Sequence, residues 1–339
     1  MYAKQPLTFA LIFSLLCLAT APLCQAEDTV LNGQFADKTD NWYLTNRVGD
    51  KPQIVDASDN NEIAKAVKIT VNKAAPKKPY LAAVNQSLAT YIAKDSPITF
   101  SFMAKGTSGA NLIAAIQTNG KPYKAFAHSG RIQLTEQWKR YTFNGKVTQD
   151  YTAGDLRILF NMGHANGTTY IADVSLDCPK TTLPPMDFPL NANDQFSREH
   201  YSHSIPRGKR AQSSFTGKGD DCYMTVKIVD PDPKKGWVVT HGQTINYAIP
   251  ASTKLKLMVR ARSKTPGAKF SIHFEGKERH KQRLISMTDI KPTDDWQWFE
   301  KTTTLKQAIG FREGRLITHL GYLEQEIDFD QIILKQIDE

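Results

Sequence analysis

The chain has 339 residues, of which 40% are hydrophobic, and its 43 lysine and arginine residues exceed its 34 aspartate and glutamate residues to give a formal net charge of +9. This length suits two domains of about 150 residues, and no segment after the N-terminal apolar run is long enough to cross a membrane. A basic balance suits anionic surfaces and polysaccharides. The basic residues are spread along the chain, so solvated strand faces are an alternative explanation, and no nucleic-acid partner is predicted.

The N-terminus has the pattern of a secretory signal peptide. Lys4 precedes an apolar run from Leu7 to Ala19, which is shorter than the roughly 20 residues of a membrane-spanning helix. Residues 1–26 are therefore predicted to be a cleaved signal, and the mature protein to be exported to the periplasm, the cell surface or the medium. An uncleaved N-terminal anchor is the alternative; lipid attachment at Cys24 is disfavoured by the bulky residue before it.

The cysteine count follows from export. Cys17 and Cys24 leave with the signal, and Cys178 and Cys222 remain as one even pair in an oxidising compartment. A disulfide between them is predicted, and it would stabilise the fold by about 4 kcal/mol on the chain-entropy account. Two separate thiols are the alternative.

Short segments in which apolar and polar residues alternate make up most of the chain. From Ile98 to Lys105 the even-numbered residues are apolar, so one face of this strand is predicted to be buried and the other to meet solvent or ligand. Turn residues separate the segments and few windows have a helical period. This predicts an all-β fold of two tandem β-sandwich, or jelly-roll, domains.

A repeat links the two halves of the chain. Tyr80 and Trp237 lie 157 residues apart (237−80), and Trp138 and Trp296 lie 158 apart (296−138). Solenoid repeats have periods of roughly 20 to 50 residues, so a step this long indicates a duplicated domain.

The domain bounds follow from the repeat and from a Pro-rich stretch between the copies. The predicted first sandwich spans residues 28–178, the linker spans residues 179–189, and the second sandwich spans residues 190–339. Pro-rich stretches of this kind act as semi-rigid spacers.

The order of motifs in the first half resembles a known family. Asn32-Gly33-x-Phe35 opens it, Trp42 follows, a Phe-Ser-Phe-x-Ala-Lys strand ends at Lys105, and a Tyr-Ile-x-Asp-Val-Ser-Leu strand closes it. This order is similar to that of carbohydrate-binding modules of the xylan- and glucan-binding type, which are galactose-binding-domain-like jelly rolls. The resemblance runs from Val30 to Leu176 and is weaker in the second half. It implies tandem noncatalytic modules that bind a glycan.

The resemblance also implies a structural calcium ion near the last strand of each domain. Asp173 and Asp330 match one of the family's ligands, and Asp37 could replace the acidic residue that the family has where this chain has Ala36. Calcium takes six to eight oxygen ligands, which a lone carboxylate does not supply. An aspartate that caps a turn or bonds to the backbone is the alternative.

Glycan recognition needs aromatic planes for the apolar faces of sugar rings and polar groups for the hydroxyls. Candidates in the first half are Tyr80, Gln86, Gln117, Tyr123, Phe126 and Arg157. Candidates in the second half are Trp237, His241, Gln243, Arg260, Arg262, His273, Glu275 and His319. A shared structural hydrogen bond is the alternative for the two glutamines, which recur at one step of 157.

Charge distinguishes the two halves. The alternation in the second half sends Arg260 and Arg262 outwards on one strand and His273 and Glu275 outwards on another, and both pairs are expected to share one concave sheet. Arginine binds carboxylate or sulfate with two parallel hydrogen bonds, so an acidic polysaccharide is favoured over a neutral one for this half. The first half is expected to prefer a less charged segment.

Two other function classes stay open. The second half could be a polysaccharide lyase or hydrolase that uses the histidine, arginine and glutamate side chains of its outer face, or it could bind a protein. The sequence has no Gly-x-Ser-x-Gly elbow and no His-Glu-x-x-His motif. A binding protein is therefore favoured over an enzyme.

Overall fold

The structure, a computed structural model, describes residues 29–57, 59, 62–179, 183–196, 203–206, 208–218, 221–276 and 283–338. The predicted signal peptide lies outside these residues. Within them no helix has the length and apolar character that a membrane span requires. The strands are β1 Tyr43–Asn46, β2 Gln53–Asp56, β3 Lys65–Val71, β4 Ala82–Ser87, β5 Pro97–Gly106, β6 Asn111–Thr118, β7 Ala125–Gln133, β8 Lys139–Lys146, β9 Leu156–Asn161, β10 Gly167–Asp177, β11 Ala211–Thr216, β12 Tyr223–Ile228, β13 Thr240–Thr244, β14 Lys254–Arg262, β15 Phe270–Gly276, β16 Arg283–Ile290, β17 Gln297–Thr304, β18 Gly314–His319 and β19 Gln325–Gln336.

The strands form four antiparallel sheets in two sandwiches. The first sandwich has sheets of order β1-β4-β9-β6-β7 and β2-β3-β10-β5-β8, and the second has sheets of order β11-β12-β19-β14-β17 and β13-β18-β15-β16. The predicted all-β class with two β-sandwiches is confirmed.

The alternating residues build the two cores. Phe100 and Phe102 of β5 are fully buried in the first core, and Leu257 and Val259 of β14 are fully buried in the second. Burial of such side chains stabilises a fold by about 1.5 to 3 kcal/mol each. The predicted alternation along both strands is confirmed.

The two sandwiches share one strand order. Strands β2-β3-β10-β5-β8 correspond to β11-β12-β19-β14-β17, and β4-β9-β6-β7 correspond to β13-β18-β15-β16. Tyr80 and Trp237 occupy equivalent short 3-10 turns, Pro79–Leu81 and Gly236–Val238, just before β4 and β13. This order agrees with the 157-residue step; an origin by duplication stays a prediction.

A buried tyrosine joins the two domains. The Tyr247 hydroxyl lies 2.7 Å from the Thr152 hydroxyl and accepts a hydrogen bond of 2.8 Å from the Ala153 backbone N–H. Burial raises the pKa of Tyr247. Tyr91 of the first domain packs in the core cluster of the second, so the domains meet through a desolvated contact.

The C-terminal part of the predicted linker lies on the second domain. Leu183 and Phe188 pack against the second core, and Pro189 forms an isolated bridge with Lys335 of β19.

The predicted disulfide is not present. Cys178 is buried in the core of the first domain, and Cys222 is buried in the core of the second. The Cys178 sulfur lies 3.7 Å from the Thr29 hydroxyl. The even count of cysteines suggested a disulfide, but the two thiols lie in different hydrophobic cores.

Candidate glycan-binding faces

Five strands present a polar outer surface on the first domain, which we call the first face. Because Leu156, Ile158 and Phe160 of β9 are buried in the core, the alternate residues of this strand and their cross-strand neighbours point outwards. The first face consists of Tyr43, Ala83, Asn85, Ser87, Ile113, Ala115, Gln117, His128, Arg131, Arg157, Leu159 and Asn161.

An arginine near one end of the first face is held by an amide and an aromatic ring. Arg157 of β9 lies opposite Gln117 of β6, and with the Gln117 amide oriented to satisfy both of its ends, its oxygen accepts from Arg157 Nη2 at 2.9 Å. The Arg157 guanidinium lies 5.3 Å from the centre of the Tyr123 ring. These contacts fix a cation beside a half-exposed aromatic ring.

The other end of the first face has buried polar atoms that no described residue satisfies. Asn161 Oδ1 and His164 Nε2 have no hydrogen-bond partner, although His164 Nδ1 lies 3.2 Å from Arg131 Nη2. Burial, and then the charge of Arg131, lower the pKa of His164, so its imidazole is neutral at neutral pH. Buried polar atoms normally find partners, and a ligand hydroxyl group could supply them here.

Two exposed tyrosines belong to the edge strand β1 and to the turn before β4, and we count Tyr80 and His164, which lie in turns beside the sheet, with the first face. Tyr80 is 57% exposed and Tyr43 is 63% exposed. The turn that carries Tyr80 is held close to His164, because the Gly163 N–H donates to the Pro79 carbonyl at 3.1 Å. A Cβ atom on Gly163 would approach that carbonyl oxygen to 2.6 Å, so the close approach requires glycine.

The equivalent surface of the second domain, which we call the second face, has different chemistry. It consists of Thr240, Gly242, Thr244, Ser271, His273, Glu275, Ser286, Arg315, Ile317 and His319. A shallow cleft of about 280 Å³ runs along β13 and β18, lined in part by Thr240, Thr244 and Arg315.

A salt bridge replaces the arginine–glutamine pair of the first face. Arg315 Nε lies 2.7 Å from Glu275 Oε1, at the register that Arg157 and Gln117 occupy in the first domain. Glu275 is 5% exposed. The guanidinium of this face is therefore neutralised by a buried carboxylate.

Two histidines lie in contact on the second face. The rings of His273 and His319 are 4.9 Å apart, and His273 Nδ1 lies 2.8 Å from the Ser286 hydroxyl. Burial lowers the pKa of His273 to about 4, with help from the charges of Arg283 and His319. His273 Nε2 has no partner within the described part of the chain.

Two aromatic residues, Tyr322 and Trp237, lie on the side of the second face that carries His319. The Tyr322 hydroxyl lies 3.0 Å from the Ser271 hydroxyl, and Lys269 Nζ lies 5.5 Å from the Tyr322 ring centre. Trp237, in the turn before β13, is 57% exposed.

Both predicted glutamines point inwards and have structural partners. Gln86 bonds to the backbone N–H and carbonyl of Leu31 at 2.8 and 2.7 Å. Gln243 donates to the Ala192 carbonyl and accepts from Asn191 Nδ2 at 3.2 Å. Both amides hold the N-terminal segment of their domain, which is the structural alternative, and Gln243 also lines the cleft along β13 and β18.

His241 and Phe126 are also displaced from the faces. His241 is 2% exposed and its Nε2 lies 2.9 Å from His203 Nδ1. Burial holds the pKa of His241 well below its usual range. Phe126 packs against the first core, edge-on to Tyr151 at 5.3 Å.

The expected shared sheet for the arginines and histidines is wrong. Arg260 and Arg262 belong to β14, which lies in the other sheet of the sandwich from β13, β15 and β18. Arg260 pairs with Asp330 at 2.7 Å, and Arg262 pairs with Asp328 at 2.9 Å. The alternation predicted which residues point outwards but not on which side of the sandwich they lie.

The calcium ligands implied by the resemblance do not fit such an ion. Asp173 is paired with Arg140 and Asp330 with Arg260, so each carboxylate faces a guanidinium. Asp37 is exposed, and its backbone N–H donates to Asn32 Oδ1 at 3.1 Å. Among the described residues no group of three or more metal-ligand side chains is close enough to hold an ion.

Sequence reasoning missed several residues of both faces. The missed Arg315 lies 158 residues after the predicted Arg157 (315−157), and the missed Asn161 lies 158 residues before the predicted His319 (319−161). The one-residue slip already visible between Trp138 and Trp296 would have aligned them. Tyr43 and His164 have no such signal, because their positions depend on how a short edge strand and a turn fold.

Comparison with known proteins finds one family and several solved structures that resemble this chain. A family described as "Carbohydrate binding domain" matches residues 27–168, and no curated protein matches the chain. Solved structures similar to it include a CBM4 module (19% identity, 43% of this chain, 99% of that chain, TM-score 0.35) and a CBM22-1–CBM22-2 tandem from Paenibacillus barcinonensis Xyn10C (12% identity, 93% and 100%, TM-score 0.35). The predicted resemblance to carbohydrate-binding modules is confirmed for residues 27–168.

Proposed function

We propose that this chain is an exported, noncatalytic glycan-binding protein whose first face binds a polysaccharide chain. The observation that carries the proposal is the pair of unsatisfied buried atoms, Asn161 Oδ1 and His164 Nε2, near the turn that carries the exposed Tyr80. The family match over residues 27–168 supports the same function.

The first face supplies both kinds of contact that a glycan needs. Tyr43 and Tyr80 offer aromatic planes for the apolar faces of sugar rings. Asn161 and His164 offer an acceptor and an imidazole nitrogen for hydroxyl groups, at positions where a hydrogen bond is missing without ligand.

The positive charge of the first face favours an acidic glycan as its ligand. Arg131 and Arg157 both lie on it, and the groups that hold them, His164 and Gln117, are uncharged. The sequence favoured the second domain for acidic chains, but its outward arginines on β14 pair with aspartates of the neighbouring strand β19, in the sheet opposite the second face. Arg315 of the second face is neutralised by Glu275, so a neutral chain suits that face.

The noncatalytic part of the proposal rests on the same salt bridge. A glycosidase needs one carboxylic acid and one carboxylate on opposite sides of the bond to be cleaved. Glu275, which the hydrolase alternative would use, is held by Arg315 at 2.5 Å.

Affinity electrophoresis of the full mature chain tests the proposal. Gels would contain polygalacturonate, alginate, xylan, β-glucan or β-1,4-galactan, each at two salt concentrations. We expect retardation by an acidic polymer that weakens at high salt, loss of retardation in Asn161→Ala, and no loss in Trp298→Ala, which removes a half-exposed aromatic from β17. Equal mobility in every gel, or release of sugar fragments, would contradict the proposal.

A further inference from the structure

A cavity lined by residues of both domains lies at the junction between them. This junction cleft has a volume of about 650 Å³, within the roughly 300 to 1,000 Å³ of ligand pockets, which favour domain interfaces. The first domain contributes Lys121, Lys124, Asp150 and Asp155, and the second contributes Phe188, Asn193 and Asp194.

Contacts across the domains hold the walls of the junction cleft in place. Tyr91 of the first domain packs edge-on against Phe188, with ring centres 5.3 Å apart. The Tyr91 hydroxyl donates to Asp150 Oδ1 at 2.6 Å, and the Lys94 N–H donates to the same oxygen at 2.9 Å. Burial, and then Asp150, raise the pKa of Tyr91 to about 12, so this donor keeps its proton. A preformed cleft costs little to organise on binding.

One loop connects the junction cleft with the first face. Thr118 and Lys124 close this loop by a backbone hydrogen bond of 2.9 Å and a bond of 2.8 Å from the Lys124 N–H to the Thr118 hydroxyl. Between them, Tyr123 stacks on Arg157 of the first face, while Lys121 lines the junction cleft. A ligand that passes Tyr123 therefore meets the cleft next.

We propose that the junction cleft is a further glycan subsite, which binds units of the polysaccharide chain that continue beyond the first face. This inference rests on the proposed function of the first face. The cleft offers the ring of Phe188 to a sugar ring and the side-chain amides of Gln149 and Gln195 to hydroxyls. A subsite in the junction cleft would make the intact two-domain chain bind long ligands more tightly than short ones.

Calorimetric titration of the full mature chain with oligogalacturonates of three and eight units tests this subsite, with xylo-oligosaccharides of the same lengths if the neutral polymer is the one retained. We expect the eight-unit ligand to bind about tenfold more tightly than the three-unit ligand, because the added units gain a tethered second contact. Gln149→Trp places a bulky side chain at an exposed position of the cleft and is expected to remove that gain without changing the affinity for three units. Thr142→Trp, on exposed β8, is the matched control and is expected to keep the gain.

The outcomes separate the two proposals. If the eight-unit ligand gains nothing in the wild-type chain, or keeps its gain in Gln149→Trp, the subsite is wrong while binding of the short ligand still supports the first face. If neither length of either sugar binds, the proposed function fails and the subsite fails with it.

Discussion

The first and second faces have the same strand order, and each has an arginine at the equivalent position. The side chain that holds this arginine is neutral in the first face and charged in the second. Arg157 is held by the neutral amide of Gln117, and Arg315 by the carboxylate of Glu275. A buried carboxylate cancels the charge that would attract an anionic ligand, whereas an amide orients the guanidinium and leaves its charge. One residue at one register is thus enough to give two copies of a fold different electrostatics.

The remaining polar groups differ in the same direction. Asn161 and His164 of the first face have atoms that lack partners, while His319 and His273 of the second face contact each other and Ser286. The first face therefore has more to gain from a ligand, although the His273 Nε2 atom also lacks a partner.

The largest effect is expected from the aromatic anchors. Tyr80→Ala should weaken binding of an acidic chain by about 1 to 3 kcal/mol, the range of a central anchor, whereas Trp237→Ala should leave that affinity unchanged. Titration of both variants beside the wild type measures this difference. Equal losses would mean that both faces bind the same chain.

The buried histidine pair should make the second domain sensitive to acid. Because the pKa of His273 is lowered from 6.5 to about 4, the unfolded chain binds a proton between these pH values that the folded chain does not. Stability should therefore fall as the pH drops from about 6.5 to about 4 and should level off below, with a contribution of about 3 kcal/mol.

Chemical unfolding across this pH range measures that contribution. His273→Gln should flatten the decline, and His128→Gln, at an exposed position of the first face, should not. An unchanged pH profile in His273→Gln would show that other groups cause the decline.

Exchanging Gln117 and Glu275, the side chains that hold the arginines of the two faces, should exchange the charge preference of the faces. The expected change in affinity for an acidic chain is about tenfold, or about 1.4 kcal/mol. Gln117→Glu should weaken binding of polygalacturonate to the first face, and Glu275→Gln should let the second face bind it. The salt dependence of the affinity should fall in the first variant and rise in the second. If the salt dependence is unchanged in both variants, the Arg157–Gln117 and Arg315–Glu275 pairs do not determine the charge preference.

The sequence predicted the β-sandwiches because alternation along β5 and β14 directly reflects burial. It predicted the equivalence of Tyr80 and Trp237 because both turns keep the same distance from their strands. It could not predict that Arg260 and His273 lie on different sheets, since alternation shows only inside from outside within one strand. It also misplaced His241, because the turn at Trp237 shifts the side-chain alternation so that His241 faces inwards with Val239.

The most direct test of the first face is a calorimetric titration of the full chain and of Asn161→Ala/His164→Ala with the acidic oligosaccharide that the wild type binds. We expect at least a tenfold loss of affinity in this double variant, because the two groups meet ligand hydroxyls, and no loss in Ser271→Ala on the second face. Wild-type affinity in the double variant would contradict the assignment of the first face as the glycan site.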